Sequence, residues 1–376
     1  MNTTPKIKIR VWDLFVRFFH WTLVVAVSTA AYSGFLLGGT WIEAHIWAGS
    51  VAAALILARL LWGIWGSPYA RFGNFVKGPG AALEHVREIR SGQAHRHLGH
   101  NPLGGLMILA LITTILFLAL TGTVGLGGVF KVGPFGFATT YQFGSTTLSL
   151  HKLLAIWLLF LVVLHIGGAI FEGLRTRENL VKAMVTGYKE AEEHTVPPAG
   201  TARPVLAATA FAALAAILFW GGASLASRPV PDLPPASEAA FDPVYADECS
   251  ACHIAYNPSL MGVKSWTLLM SNLSDHFGED ASLDPATTDE ILRWLTANAA
   301  ESVDTKPAHV LRRMAGNAPF TITETPFWKQ THRNIPDTVF RRPPIYDNGN
   351  CTACHSDAES GRFYPANISI PKETQQ

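Results

Sequence analysis

The chain has 376 residues, enough for two or three compact units, yet 49% are apolar and only 15% charged, a balance that points away from a wholly soluble protein and toward a membrane domain. A formal net charge of +1 excludes the large Lys and Arg surplus of a polybasic nucleic-acid binder, so no nucleic-acid partner is expected.

Five apolar stretches are long enough to cross about 30 Å of hydrocarbon: roughly 14–37, 42–66, 102–126, 148–172 and 204–223, the second interrupted by Arg59. The first is followed by further spans and has no small-residue cleavage site, so it reads as a retained helix rather than a removed leader. Basic residues gather before the first span (Lys6, Lys8, Arg10, Arg17), between the second and third (Arg71, Lys77, Arg87, Arg90, Arg96) and between the fourth and fifth (Arg175, Arg177, Lys182, Lys189), whereas 38–41 and 127–147 carry only Lys131. By the positive-inside rule this is a multi-pass protein of the bacterial cytoplasmic (inner) membrane, with lipid as its solvent, a cytoplasmic N-terminus and a C-terminal domain in the periplasm.

Four histidines fall within spans: His20, His45, His151 and His165. Intramembrane ionisable groups are costly and rare, which makes them functional candidates. A lone one would read as interfacial or as a satisfied core residue. Here His151 and His165 are 14 residues apart, close to four helical turns, so they share a face at two depths separated by about 21 Å. Depth then pairs His45 with His151 and His20 with His165, and each pair can hold a non-covalent b-type haem by bis-imidazole ligation between facing helices. Gly34 lies 14 residues after His20 and Gly49 one turn after His45. Both could leave room for a porphyrin, although helix packing through small residues explains them equally well. Arg59, 14 residues beyond His45, is expected on the same face at the inner level, beside a haem propionate.

His85, His95, His97 and His100 crowd one cytoplasmic loop, but their spacing lacks a ligand set and a solvated loop is the expectation. Trp21, Trp41, Trp62 and Trp65 near span ends fit an aromatic belt. No dinucleotide fingerprint, phosphate loop or zinc-protease motif occurs.

Beyond the last span, Arg228-Pro229-Val230-Pro231-Asp232-Leu233-Pro234-Pro235 reads as a semi-rigid spacer. All four cysteines then fall in two copies of one pattern, Cys249-Ser250-Ala251-Cys252-His253 and Cys351-Thr352-Ala353-Cys354-His355. This is the c-type haem signature: two thiols on one turn add across two vinyl groups, and the following imidazole (His253, His355) ligates iron. A four-thiolate zinc site or two disulfides would not require His after the second Cys in both copies. Covalent attachment takes place outside the bacterial membrane, in agreement with the topology. Between the motifs, 264–277 reads as an amphipathic helix with Leu269, Leu273 and His276 on one face, and Asp284-Pro285 starts a helix running to about Ala299. His309 is expected to be structural, and Met261, Met270 and Met314 are the other available axial ligands.

Arg17-Phe18-Phe19-His20-Trp21, His45-Ile46-Trp47-Ala48-Gly49 and the His151/His165 pair resemble the bacterial cytochrome b561 family over roughly 8–190, and so the cytochrome b subunits of nickel-iron hydrogenases. That resemblance implies a four-helix bundle with two b haems exchanging electrons with quinone. The segments around Ser265-Trp266, His276-Phe277-Gly278-Glu279, Thr325-Pro326 and His332-Arg333, with the two attachment motifs, are similar to the dihaem cytochrome c family over about 245–360. That family's pattern implies His276 and His332 as sixth ligands, assigned here to the first and second motif respectively.

The expected fold is all-α: a transmembrane four-helix haem bundle (domain 1–200), a fifth transmembrane helix (201–227), a Pro-rich linker (228–240) and a small, mostly helical periplasmic dihaem c-type cytochrome domain (241–376). Two b and two c haems in one chain make electron transfer between quinone/quinol and a soluble periplasmic redox protein the leading expectation. A superoxide oxidase-like enzyme and an electron-transfer anchor subunit of a hydrogenase or dehydrogenase are the alternatives. Association into a homo-oligomer is left open. No catalytic residue is assigned.

Overall fold

The computed structural model describes residues 6–192, 198, 200–235, 240–314 and 321–372. Part of the expected linker, 236–239, and the last four residues lie outside them. The fold is mostly helical, and among the described residues five helices are long and apolar enough to cross a membrane.

The first long helix, Leu14–Tyr32, continues into a π turn at Ser33–Leu37. It ends at Gly38, whose φ of 76° suits a residue without Cβ. The second is Ile42–Trp65, the third Pro102–Phe130, the fourth Tyr141–Thr176 and the fifth Pro204–Ala226. The fourth has 36 residues, about 54 Å of helix, well beyond the hydrocarbon thickness. Its first turns contain Gln142, Ser145 and Thr146, too polar to read as a span, which is why the apolar pattern begins only at 148.

Contacts divide the chain into two compact units, Met1–Thr123 with Thr147–Ala223 and Val124–Thr146 with Ser224–Gln376. In the first, helices one to four share a core of Phe19, Ala26, Ala52, Ile56, Ile112, Ile115 and Leu158. Asp13 locks the ends of the first two: it caps the first helix by accepting the Val16 N–H at 2.8 Å, and it accepts Trp62 Nε1 at 2.9 Å and Ser67 Oγ at 2.5 Å. The fifth helix buries only Ala207 and leaves Val205, Ile217, Leu218, Phe219 and Trp220 exposed, a surface suited to lipid rather than water.

Two details depart from the sequence expectation, one a strand pair and the other an extra helix. Lys6–Arg10 pairs antiparallel with Tyr188–Glu192, in register from Lys6 opposite Glu192 to Arg10 opposite Tyr188. Lys6-Ile7-Lys8-Ile9-Arg10 alternates with period two, the signal of a strand. The expected histidine-rich loop instead contains a helix, Pro79–Ser91, stopped by Gly92 in the left-handed conformation. His85 on it is buried with its ring centroid 5.3 Å from that of His97, and the His100 ring lies 4.6 Å from both Trp12 and Phe75. The His100 ring packs inward because Trp12 and Phe75 are themselves buried.

The second unit has its core in Phe241, Tyr245, Ala255, Met261, Trp266, Met270, Ile291, Leu295 and Ala299. The helix expected over 264–277 is Val263–Met270, followed by a separate 3-10 turn at Leu273–Asp275. Ser271 and Asn272 break it, since short polar side chains compete with the helical ladder. Asp284 caps Pro285–Ala297 by accepting the Ala286 and Thr287 amides at 3.0 and 3.2 Å. Met261 and Met270 are spent on the core.

Candidate functional site: four pairs of histidines

Four pairs of imidazoles face one another at nearly the same separation. Ring centroids are 6.0 Å apart for His45 and His151, 6.5 Å for His20 and His165, 6.2 Å for His253 and His276, and 6.1 Å for His332 and His355. Two metal–nitrogen bonds of about 2 Å, with about 1.1 Å from each nitrogen to its ring centre, would place centroids about 6 Å apart. The eight rings therefore fit four irons, each gripped from both sides. Among the described residues, no three Cys, His, Asp or Glu side chains converge as a conventional metal site, and all four cysteines are free.

The His45/His151 pair sits in two copies of the same cradle. His45 Nδ1 donates to the Ala30 carbonyl at 2.9 Å, and His151 Nδ1 to the Leu118 carbonyl at 3.1 Å. Three residues after each carbonyl stands a hydroxyl that bonds back into its own helix and also reaches the ring: Ser33 Oγ lies 3.4 Å from His45 Nδ1, and Thr121 Oγ1 3.2 Å from His151 Nδ1. The next residue is glycine in both. A Cβ on Gly34 would stand 3.0 Å from His45 Cε1, and one on Gly122 3.2 Å from His151 Cε1. With Nδ1–H donating, the Nε2 lone pair is left free for a metal. The space Gly34 leaves is filled by the His45 ring itself. Gly49 has nothing within 4 Å of where its Cβ would be, and so borders open space.

The His20/His165 pair lacks that arrangement, for His20 Nδ1 is buried with no partner among the described residues. Arg59 is buried, donates from Nη2 to the Ala70 carbonyl at 3.0 Å and lies over the Phe72 ring at 4.7 Å. Its Nη1, together with Arg17 Nε, Tyr69 OH and His100 Nδ1, is buried without a partner among the described residues. Burial pushes His100 down to about 3, with the charges of Arg59 and Lys189 adding to the effect, so its imidazole is neutral. An unsatisfied buried donor set of this kind suits an anionic group.

In the second unit, Cys249 closes the helix Pro243–Cys249, which Asp242 caps through the Val244 and Tyr245 amides. Burial pushes the Cys249 thiol up to about 11, aided by Glu248, and Cys351 likewise to about 11. His253 Nδ1 donates to the Ile254 carbonyl at 2.7 Å. Its partner His276 follows the Leu273–Asp275 turn and is held by paired backbone bonds with Glu279, through a tight turn at Phe277 and Gly278 with φ of 58° and 99°. A cleft of about 310 Å³ beside it is lined by Leu269, Asn272, Asp275, His276, Phe277 and Gly278. His332 ends the helix Pro326–His332, donates from Nδ1 to the Trp328 carbonyl at 2.9 Å and stacks on Trp328 at 4.3 Å. Burial lowers His276 and His355 from their ordinary value, helped by the facing His253 and His332. The shift favours the neutral imidazole, the form that ligates a metal.

The cradle residues Ala30, Ser33, Leu118, Thr121 and Gly122 escape the sequence reading. The signal available was the Ser-Gly and Thr-Gly dipeptides one span before His45 and His151 respectively.

Residues 11–187 match the family "Prokaryotic cytochrome b561", and residues 245–363 the family "Dihaem cytochrome c". Curated relatives include proteins named "Probable Ni/Fe-hydrogenase B-type cytochrome subunit". That of Rhizobium leguminosarum bv. viciae is 24% identical over 222 residues, covering 49% of this chain and 90% of the relative. That of Cupriavidus necator is 26% identical over 209 residues, covering 48% and 86%. Among solved structures, a dihaem cytochrome c from Rhodobacter sphaeroides is 40% identical and covers 32% of this chain and 94% of its own (TM-score 0.28). A dihaem cytochrome c from Shewanella baltica OS155 is 32% identical, covering 34% and 92% (TM-score 0.28). With haem b and haem c as the cofactors these matches imply, the chain belongs to the prokaryotic cytochrome b561 family through its membrane half and to the dihaem cytochrome c family through its C-terminal half.

Proposed function

We propose that this membrane cytochrome carries electrons between the quinone pool and a soluble periplasmic redox protein. The observation that carries the reading is the recurrence of one imidazole spacing, 6.0 to 6.5 Å between ring centroids, at four places. His45/His151 and His20/His165 hold two b haems; His253/His276 and His355/His332 hold two c haems anchored through Cys249, Cys252, Cys351 and Cys354. Haem iron so ligated supplies reversible one-electron chemistry. Arg59, with Arg17, Tyr69 and His100, receives the propionates at the inner level, where their unpaired donors favour an anion. Gly34 seats the His45 ring and Gly49 gives room at the porphyrin edge. The fold lies in the inner membrane, N-terminus cytoplasmic and dihaem domain periplasmic, supported by the positive-inside distribution and by where covalent haem attachment occurs.

Quinol mixed with purified holoprotein should reduce both haem types, and a pyridine haemochrome assay should count two b and two c haems. Absence of extractable haem, or no reduction of either type by quinol, overturns the reading. The hydrogenase-subunit relatives favour one second reading, a membrane electron-transfer subunit within a larger hydrogenase-like complex. Co-purification of a catalytic partner from native membranes would select it. Superoxide oxidation has less support, because Lys131, the basic residue of the outer loops, is buried against Asp304.

A further inference from the structure

Lys131 is the only charged residue between 127 and 147, and it is 5% exposed. A buried ammonium persists only when paired. Its Nζ donates to the Thr139 carbonyl at 2.8 Å and to Asp304 of the C-terminal half. Asp304 is a hub. The same carboxylate accepts the Tyr141 amide at 2.9 Å and His309 Nε2 at 2.7 Å, while the Asp304 amide donates to the Asp232 carbonyl at 2.9 Å. The His309 ring also packs at a tilt against Tyr141, with centroids 4.6 Å apart, and is bonded to Arg312 at 2.7 Å.

A second contact lies beside the first. Arg362 donates to the carbonyls of Phe130 and Lys131 at 3.2 and 3.0 Å, two of the acceptors that the end of the third long helix leaves open. Tyr364 meets Phe130 edge-on at 5.4 Å, and Arg228 covers the Phe137 ring at 4.8 Å. The connection between the third and fourth long helices thus belongs to the same compact unit as the dihaem domain. Tyr141 is also the first residue of the helix that carries His151.

We propose that Lys131, Asp304 and Arg362 are positioning residues that lock the dihaem domain onto this connection. With both contacts in place, the connection and the dihaem domain form one piece, which the proline-rich tether alone would not enforce. The inference rests on the electron-transfer reading above. The step concerned moves one electron, with no bond or proton exchanged: a ferrous b centre is oxidised as a ferric c centre is reduced.

The test uses full-length holoprotein and two readouts. The first is trypsin cleavage after Lys131, which needs no electron transfer: the wild type should resist, while Asp304→Ala and Arg362→Gln should be cut at least about 10-fold faster. The second is the rate at which c centres follow b centres after mixing with quinol. Inserting about eight Gly/Ser residues after Val230 should change that rate less than twofold in the wild type, whereas in Asp304→Ala the rate should fall about 10-fold and become sensitive to the insertion. Asp304→Glu should restore both properties. Wild-type protection and rate in Asp304→Ala and Arg362→Gln, or a wild-type rate that depends on tether length, would overturn the lock. If quinol reduces neither haem type the parent reading fails, and the cleavage result still decides whether the domain is held.

Discussion

The two halves bring histidines to the same spacing by different means. In the membrane half the rings project from helices 19, 24 and 36 residues long, and the His45/His151 pair is steadied by carbonyls of neighbouring helices. In the C-terminal half the rings sit on short turns and a seven-residue helix, each near its own attachment cysteines or facing them. A b site has only ligand bonds and packing to retain its haem, so long rigid helices set the geometry. A c site is anchored by two thioethers, which lets its iron ligands ride on irregular backbone.

The most direct way to break this contrast is to remove one ligand from each kind of site. His151→Leu should empty its site and lower the extractable-haem signal by about half, while covalent haem stain is unchanged. His276→Met should keep its haem attached and raise that centre's potential, on the order of 100 mV in a redox titration, because thioether ligation favours the ferrous state. Loss of covalent haem in the second variant, or retention of full b haem in the first, would dissolve the distinction.

A smaller effect concerns the C-terminal half and acid. Burial alone would raise the Asp304 carboxyl, but hydrogen bonds from Lys131, His309 and the Tyr141 amide outweigh it and hold the group below its ordinary 3.8. A depressed folded pKa stabilises above the unfolded value and loses that stabilisation as pH falls through the folded one. Asp304→Asn should therefore cost about 1 kcal/mol at pH 5 to 8, a figure reduced for solvent screening of a partly exposed carboxylate, read as unfolding of the dihaem domain, and nothing once pH is well below the depressed value. A deficit unchanged in strong acid would mean the charge is irrelevant.

The smallest expected effect sharpens the membrane side. Thr121→Val removes a hydroxyl 3.2 Å from His151 Nδ1 while keeping the shape of the residue, and should weaken b-haem retention about 10-fold in a haem-transfer assay. Ser33→Ala should act in the same direction through His45, since its Oγ is 3.4 Å from that ring. Unequal responses of the two would show that the paired cradles are not equivalent.

Much of the membrane half is legible because helical periodicity is rigid: a separation of 14 residues dictates a shared face and a depth whatever surrounds it. The chemistry of Cys249-Ser250-Ala251-Cys252-His253 is equally local, since all its parts lie on one turn. The histidine-rich stretch misleads for the opposite reason, as polarity suggests a solvated loop while His85 is buried beside His97 and His100 is drawn against the buried Trp12 and Phe75. Ser271 and Asn272 end a helix that apolar spacing alone carries through to His276.

Composition, span lengths and the two attachment motifs by themselves determined a membrane-embedded haem protein with a c-type tail, because each depends on residues close together in the chain. Only the tertiary structure decided that Gly34 and Gly122 leave room for imidazoles, that Arg59 lies over Phe72, and that Lys131 is matched by Asp304 some 170 positions away. Those pairings join groups distant in sequence, and their energies depend on burial and orientation, neither of which any local pattern encodes.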